Sequence, residues 1–84
     1  MRIIGTIDHP AYKISVFSWS ERYIVKIEAG AFEQSFKFSQ EGYNSWEDLK
    51  VYFDEEMMEK IRQTFMEMAA GLKDSFSRNR KADQ

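Results

Sequence analysis

The hydrophobic period of this chain changes once, from alternation over residues 1–40 to helical spacing after Ser45, and that single switch restricts the architectures open to it. Four alternating runs precede the switch: Arg2–Ile7, Tyr12–Trp19, Arg22–Glu28 and Ala31–Phe38. They are separated by Asp8-His9-Pro10-Ala11, by Ser20-Glu21 and by Ala29-Gly30. Gaps this short join antiparallel neighbours, because a parallel crossover needs about a dozen residues. The expectation is an antiparallel meander.

Two-residue loops also dictate register. A Ser20-Glu21 loop sets Trp19 against Arg22, Val16 against Val25, Ile14 against Ile27 and Lys13 against Glu28. An Ala29-Gly30 loop sets Ile27 against Phe32, Tyr23 against Phe36 and Lys26 against Glu33, with Gly30 supplying a positive φ. Both hairpins then share an inner face of Ile14, Val16, Tyr23, Val25, Ile27, Phe32 and Phe36, extended by Ile3 and Ile7 of the first run. Gln34 is the polar misfit on that face.

After the switch, Ser45-Trp46-Glu47-Asp48 has the hydroxyl and acid of a capped helix start, and Asp54-Glu55-Glu56 repeats the signal. The spacing predicts a short helix over 46–52, a bend, and a long helix from about 54 to 73; one continuous helix is the alternative. Met58, Ile61, Phe65, Met68 and Leu72 recur three or four residues apart, and Met57, Ala69 and Phe76 widen the stripe. The opposite side is a solvated polar face except for Met66. The expected fold class is α+β: a four-stranded antiparallel meander with one face covered by a C-terminal helix. Residues 1–76 form one domain, and 77–84 read as a disordered basic tail.

With 84 residues, 43% of them hydrophobic and 15% aromatic, the chain can build one core and not two. It has no Cys, which removes disulfides, thiolate metal sites and Cys nucleophiles, and nothing argues for an oxidising compartment. No run approaches a membrane span, so a soluble cytoplasmic protein is expected. His9 is the single imidazole and sits beside Pro10 in a turn without a nucleophile in a supporting pattern. The acids from Glu41 to Glu59 lack the alternating ligand spacing around Gly that calcium loops need, and suit helix N-termini instead. The expectations are no enzyme, no cofactor and no metal.

The unassigned surface is the outer face of the sheet. Parity sends Ile4, Phe17, Trp19 and Ile24 there, together with Arg2, Lys13, Arg22, Lys26 and Lys37, against Glu28 and Glu33 only. Three readings compete for it: a protein interface, a solvated face of cross-strand ion pairs, and a single-stranded nucleic-acid platform in which rings stack on bases while cations meet phosphates. Ile4, Phe17, Trp19, Ile24, Arg22, Lys26 and Lys37 are the candidate patch, and Met66 is the candidate contact on the helix. A protein partner or self-association into a homodimer ranks first; nucleic acid is the alternative.

Charge is segregated as well. The net charge of −2 divides into +1 over residues 1–40, −5 over 41–72 and +2 over 73–84. The segments His9–Trp19 (HPAYKISVFSW), Arg22–Glu28 (RYIVKIE) and Glu33–Lys37 (EQSFK) resemble a family of short uncharacterised bacterial proteins, a likeness covering nearly the whole chain that implies no function. In layout, four strands then a helix, the chain is also similar to the PUR repeat and related single-strand-binding coactivator domains. That likeness implies helices packed across a dimer.

Overall fold

The computed structural model describes residues 1–80. Four strands, β1 (Arg2–Ile7), β2 (Lys13–Trp19), β3 (Arg22–Ala29) and β4 (Phe32–Ser39), form one antiparallel sheet in sequence order. A 3-10 helix (Trp46–Tyr52) and the α-helix α1 (Glu55–Arg78) follow. The fold is the open α+β meander that the alternation requires.

The β2–β3 register is the one the Ser20-Glu21 loop dictates, including Lys13 against Glu28 and Trp19 against Arg22. Both loop residues have positive φ, 52° and 62°, the double left-handed turn that matches the twist of the strands. The β3–β4 register differs from expectation by two residues. The loop is Gly30-Ala31, so Ala29 opposes Phe32, Ile27 opposes Gln34, Val25 opposes Phe36 and Tyr23 opposes Phe38. Gly30, with φ of 60°, therefore stands first in the turn, where its freedom is required. A slip of two preserves the faces, so the inner and outer sets of these strands survive the change.

On β1 the faces do change. A β-bulge lies between Ile3, which opposes Phe17, and Gly5, which opposes Val16. Ile4 is consequently on the core side and packs against it, while Ile3 turns outward and Arg2 moves off the outer face to stand opposite Ser18. Gly5 explains the bulge. A Cβ there would run into the Trp46 ring, so the first strand bends to let the 3-10 helix close over it.

One core holds the layers together, comprising Ile14, Val16, Val25 and Ile27 from the sheet, Leu49 from the 3-10 helix, and Met58, Ile61 and Phe65 from α1. Gln34 meets it through a hydrogen bond, its Nε2 donating to the Ile61 carbonyl at 3.0 Å. Helix starts are capped where the sequence places them. The Ser45 Oγ accepts from the Glu47 amide at 3.3 Å, an Asp48 carboxylate oxygen accepts from the Asn44 and Ser45 amides, and an Asp54 carboxylate oxygen accepts from the Met57 amide at 2.9 Å. The two helical segments are separate elements divided at Phe53 and Asp54.

α1 runs to Arg78, five residues past the expected end and into the segment read as a tail. Asn79 closes it, its amide and side-chain nitrogen both donating to the Ser75 carbonyl, and Arg78 lies at the negative end of the helix dipole. The last residues of that expected tail, 81–84, lie outside the described residues.

Candidate interaction surfaces

Register organises the outer face of the sheet into rows that cross the strands. Ile3, Phe17, Ile24 and Lys37 make one row through all four strands. Trp19, Arg22 and Ser39 make the next row towards the β2–β3 turn; Thr6, Ser15, Lys26 and Ser35 lie on the other side. The apolar part is thus Ile3, Phe17 and Ile24 in one row with Trp19 in the next, flanked by polar residues.

Its members are not equally available. Ile24, which stands between Phe17 and Lys37 in that row, is only 5% exposed. Trp19 and Ile3 are each 54% exposed. The Lys26 ammonium lies 5.2 Å from the Phe17 ring centroid and 3.9 Å from a Glu33 carboxylate oxygen, so this cation is engaged within the sheet. Arg22 and Lys37 are exposed. Gln40 fixes the Trp19 end: its Nε2 donates to the Ser18 hydroxyl at 2.9 Å and to the Arg22 carbonyl at 3.2 Å, and its amide donates to the Glu21 carbonyl.

Of the seven residues expected in the patch, six occupy the outer face and Ile4 does not. Ile3 takes its place. The glycine inside a strand was the available signal, since such a residue commonly marks a bulge.

The second surface is on α1. Met66 is exposed, as expected, and the Arg62 guanidinium donates to its sulfur at 2.9 Å while gripping Glu59 by two bonds of 3.0 and 2.6 Å. That grip lowers the Glu59 carboxyl from its ordinary value and raises the Arg62 guanidinium, and in both the mutual hydrogen bond is the largest cause. The apolar stripe of α1 does not stay buried along its length. Met58, Ile61 and Phe65 are buried and Met68 is partly so, but Leu72 is 42% and Phe76 63% exposed. The stripe expected from the spacing continues through Leu72 and Phe76, but the core it packs against ends at Met68.

A shallow recess opens where the β1–β2 turn meets the start of α1, lined by His9, Tyr12, Asp54, Met58, Glu59 and Arg62 among others. His9 uses its Nδ1 to accept from the Ala11 amide at 3.0 Å and stacks on Tyr12. Phe53 links this recess to an aromatic cluster in which Phe38 stacks on Tyr52 and the Tyr43 and Tyr52 hydroxyls meet at 3.2 Å, which raises the Tyr43 phenol above its ordinary value. Among the described residues no group of three or more acids and imidazoles is placed to hold a metal ion, and no helix is long and apolar enough to cross a membrane.

Comparison with protein-family models, with characterised proteins and with solved structures returns no match.

Proposed function

We propose that this chain is a small non-catalytic interaction module that self-associates as a homodimer. The observation that carries the reading is the course of α1, which leaves the core at Met68 and continues to Arg78 with Leu72 and Phe76 of its apolar stripe uncovered. Exposed apolar side chains in a continuous line are the common mark of a protein partner, and a chain of 84 residues gains from a partner the burial its own size denies it. The non-catalytic part rests on the residue inventory, with one imidazole engaged in its own turn and no thiol. A cytoplasmic location agrees with the same inventory. Sedimentation equilibrium at micromolar concentration should return twice the 10.0 kDa chain mass. A mass near that of one chain refutes the reading.

A second reading is favoured by one observation: Trp19 and Ile3 are exposed on the outer face beside Arg22 and Lys37. Rings and cations so placed suit a single strand of DNA or RNA. The engaged state of Lys26 and the net charge of −2 count against it. Titration with a labelled oligonucleotide at two salt concentrations separates the readings, because phosphate contacts weaken steeply with salt. A salt-sensitive complex lost on Lys26→Glu with Lys37→Glu would put nucleic acid first.

A further inference from the structure

We propose that the part of α1 beyond Met68 pairs antiparallel with the same segment of a second copy, about a two-fold axis passing near Leu72. This rests on the self-association reading and specifies its surface, its partner and its geometry.

Three observations lead there. The first is area. A compact monomer of 10.0 kDa exposes about 5,200 Å², whereas this chain exposes 6330 Å². The surplus of roughly 1,100 Å² is surface that the elongated chain leaves uncovered. Shape agrees with area: the Cα radius of gyration is 15.8 Å, against about 12 Å for a compact chain of this length, and the longest extent is 54 Å.

The second is the state of the helix itself. Ten residues of α1 lie beyond Met68 as a continuation of the helix past the core, without the packed face from which helices in proteins draw most of their stability. Gly71 lies within it and weakens it further. Its apolar residues do not scatter round the helix: Met68, Leu72 and Phe76 stand four residues apart on the side that faces the sheet further up, so the buried stripe continues without a turn. A second helix laid against that side extends the core past the end of the sheet.

The third is charge, and it decides orientation. From Asp54 to Glu67 the helix segment carries five acidic and two basic residues; from Lys73 to Arg80 it carries Lys73, Arg78 and Arg80 against Asp74. A parallel pair lays the two basic ends side by side and aligns the helix dipoles. An antiparallel pair about Leu72 sets residues 73–80 against 64–71 of the partner, where Glu67 is the one charged residue, so the basic ends are kept apart and the dipoles are opposed. Closure about a two-fold axis makes the contact isologous and limits the assembly to two chains.

The chain contains no Cys, which allows a clean test of geometry alongside the test of mass. Sedimentation of the native chain is compared with Leu72→Glu and with Phe76→Glu, both at exposed positions, so that circular dichroism should show the sheet intact and a loss of no more helix than the ten residues beyond Met68 while the mass falls from two chains to one. Oxidation of single-cysteine variants then reads orientation. Leu72→Cys should form a disulfide-linked dimer and Asn79→Cys should not, because an axis near Leu72 places the two copies of residue 79 about 20 Å apart along the helices. Disulfide formation at both positions means a parallel pair and overturns the proposal. A dimer indifferent to Leu72→Glu and Phe76→Glu, and unlinked by Leu72→Cys, overturns it also but leaves self-association standing. A native chain of single mass removes both.

Discussion

At the scale of single residues, the most consequential position in the fold is one with no side chain. Gly5 lies under the ring of Trp46, and any Cβ there must displace that ring or the strand. Gly5→Ala should therefore destabilise the protein by about 1–3 kcal/mol, the usual cost of overpacking a fitted site, and denaturant unfolding measures it. The same change in a Trp46→Ala background should cost much less. Ser20 and Glu21 present the reverse case. Both hold left-handed backbone that non-glycine residues resist, and neither is needed for packing, being exposed at a hairpin tip. Replacement by Asn-Gly, the preferred pair for this turn, should raise stability by about 1 kcal/mol without moving the strands, which the shift of the denaturation midpoint will show.

Among the elements, α1 carries the protein's clearest pH dependence. The Arg62 guanidinium holds the Glu59 carboxyl below its ordinary value, so the folded form binds that proton less readily than the unfolded chain. The stabilisation is present above the ordinary carboxylate pKa and is lost as pH falls through the depressed value. Both partners are exposed, and the effect should be small and salt-sensitive. Titration of Glu59 followed by NMR should show its midpoint rise in Arg62→Met. The long helix also defines which surfaces can be covered. At 1.5 Å per residue its 24 residues span about 36 Å, while an eight-residue strand spans about 27 Å, so the sheet cannot underlie all of α1.

For the whole molecule, the consequence is a division between a packed body and a helical extension. Amides of β2, β3 and the first half of α1 surround the core and should exchange with solvent only on global unfolding; those past Met68 lie beyond the core, and on the proposed pairing a second copy protects them. Hydrogen exchange measured at two protein concentrations should show protection of residues 69–78 rising with concentration and that of β2 and β3 unchanged. Equal protection at both concentrations, in the range where sedimentation shows dissociation, would mean that the extension is stable by itself. Much of this architecture is legible in the sequence. Alternation with period two fixes strand direction, number and the faces of β2, β3 and β4, and it tolerates the two-residue slip between β3 and β4 because such a slip returns each side chain to its own side. The caps at Ser45 and Asp54 are equally local, since each needs only a side chain within three residues of the amide it serves. What the tertiary structure decided is where one element meets another. Trp46 presses on Gly5 from 41 residues away, and the resulting bulge exchanged Ile3 for Ile4 on the outer face. Leu72 and Phe76 follow the same periodicity as Ile61 and Phe65, yet only the latter are buried, because periodicity reports which side of a helix is apolar and not how far the surface beneath it extends.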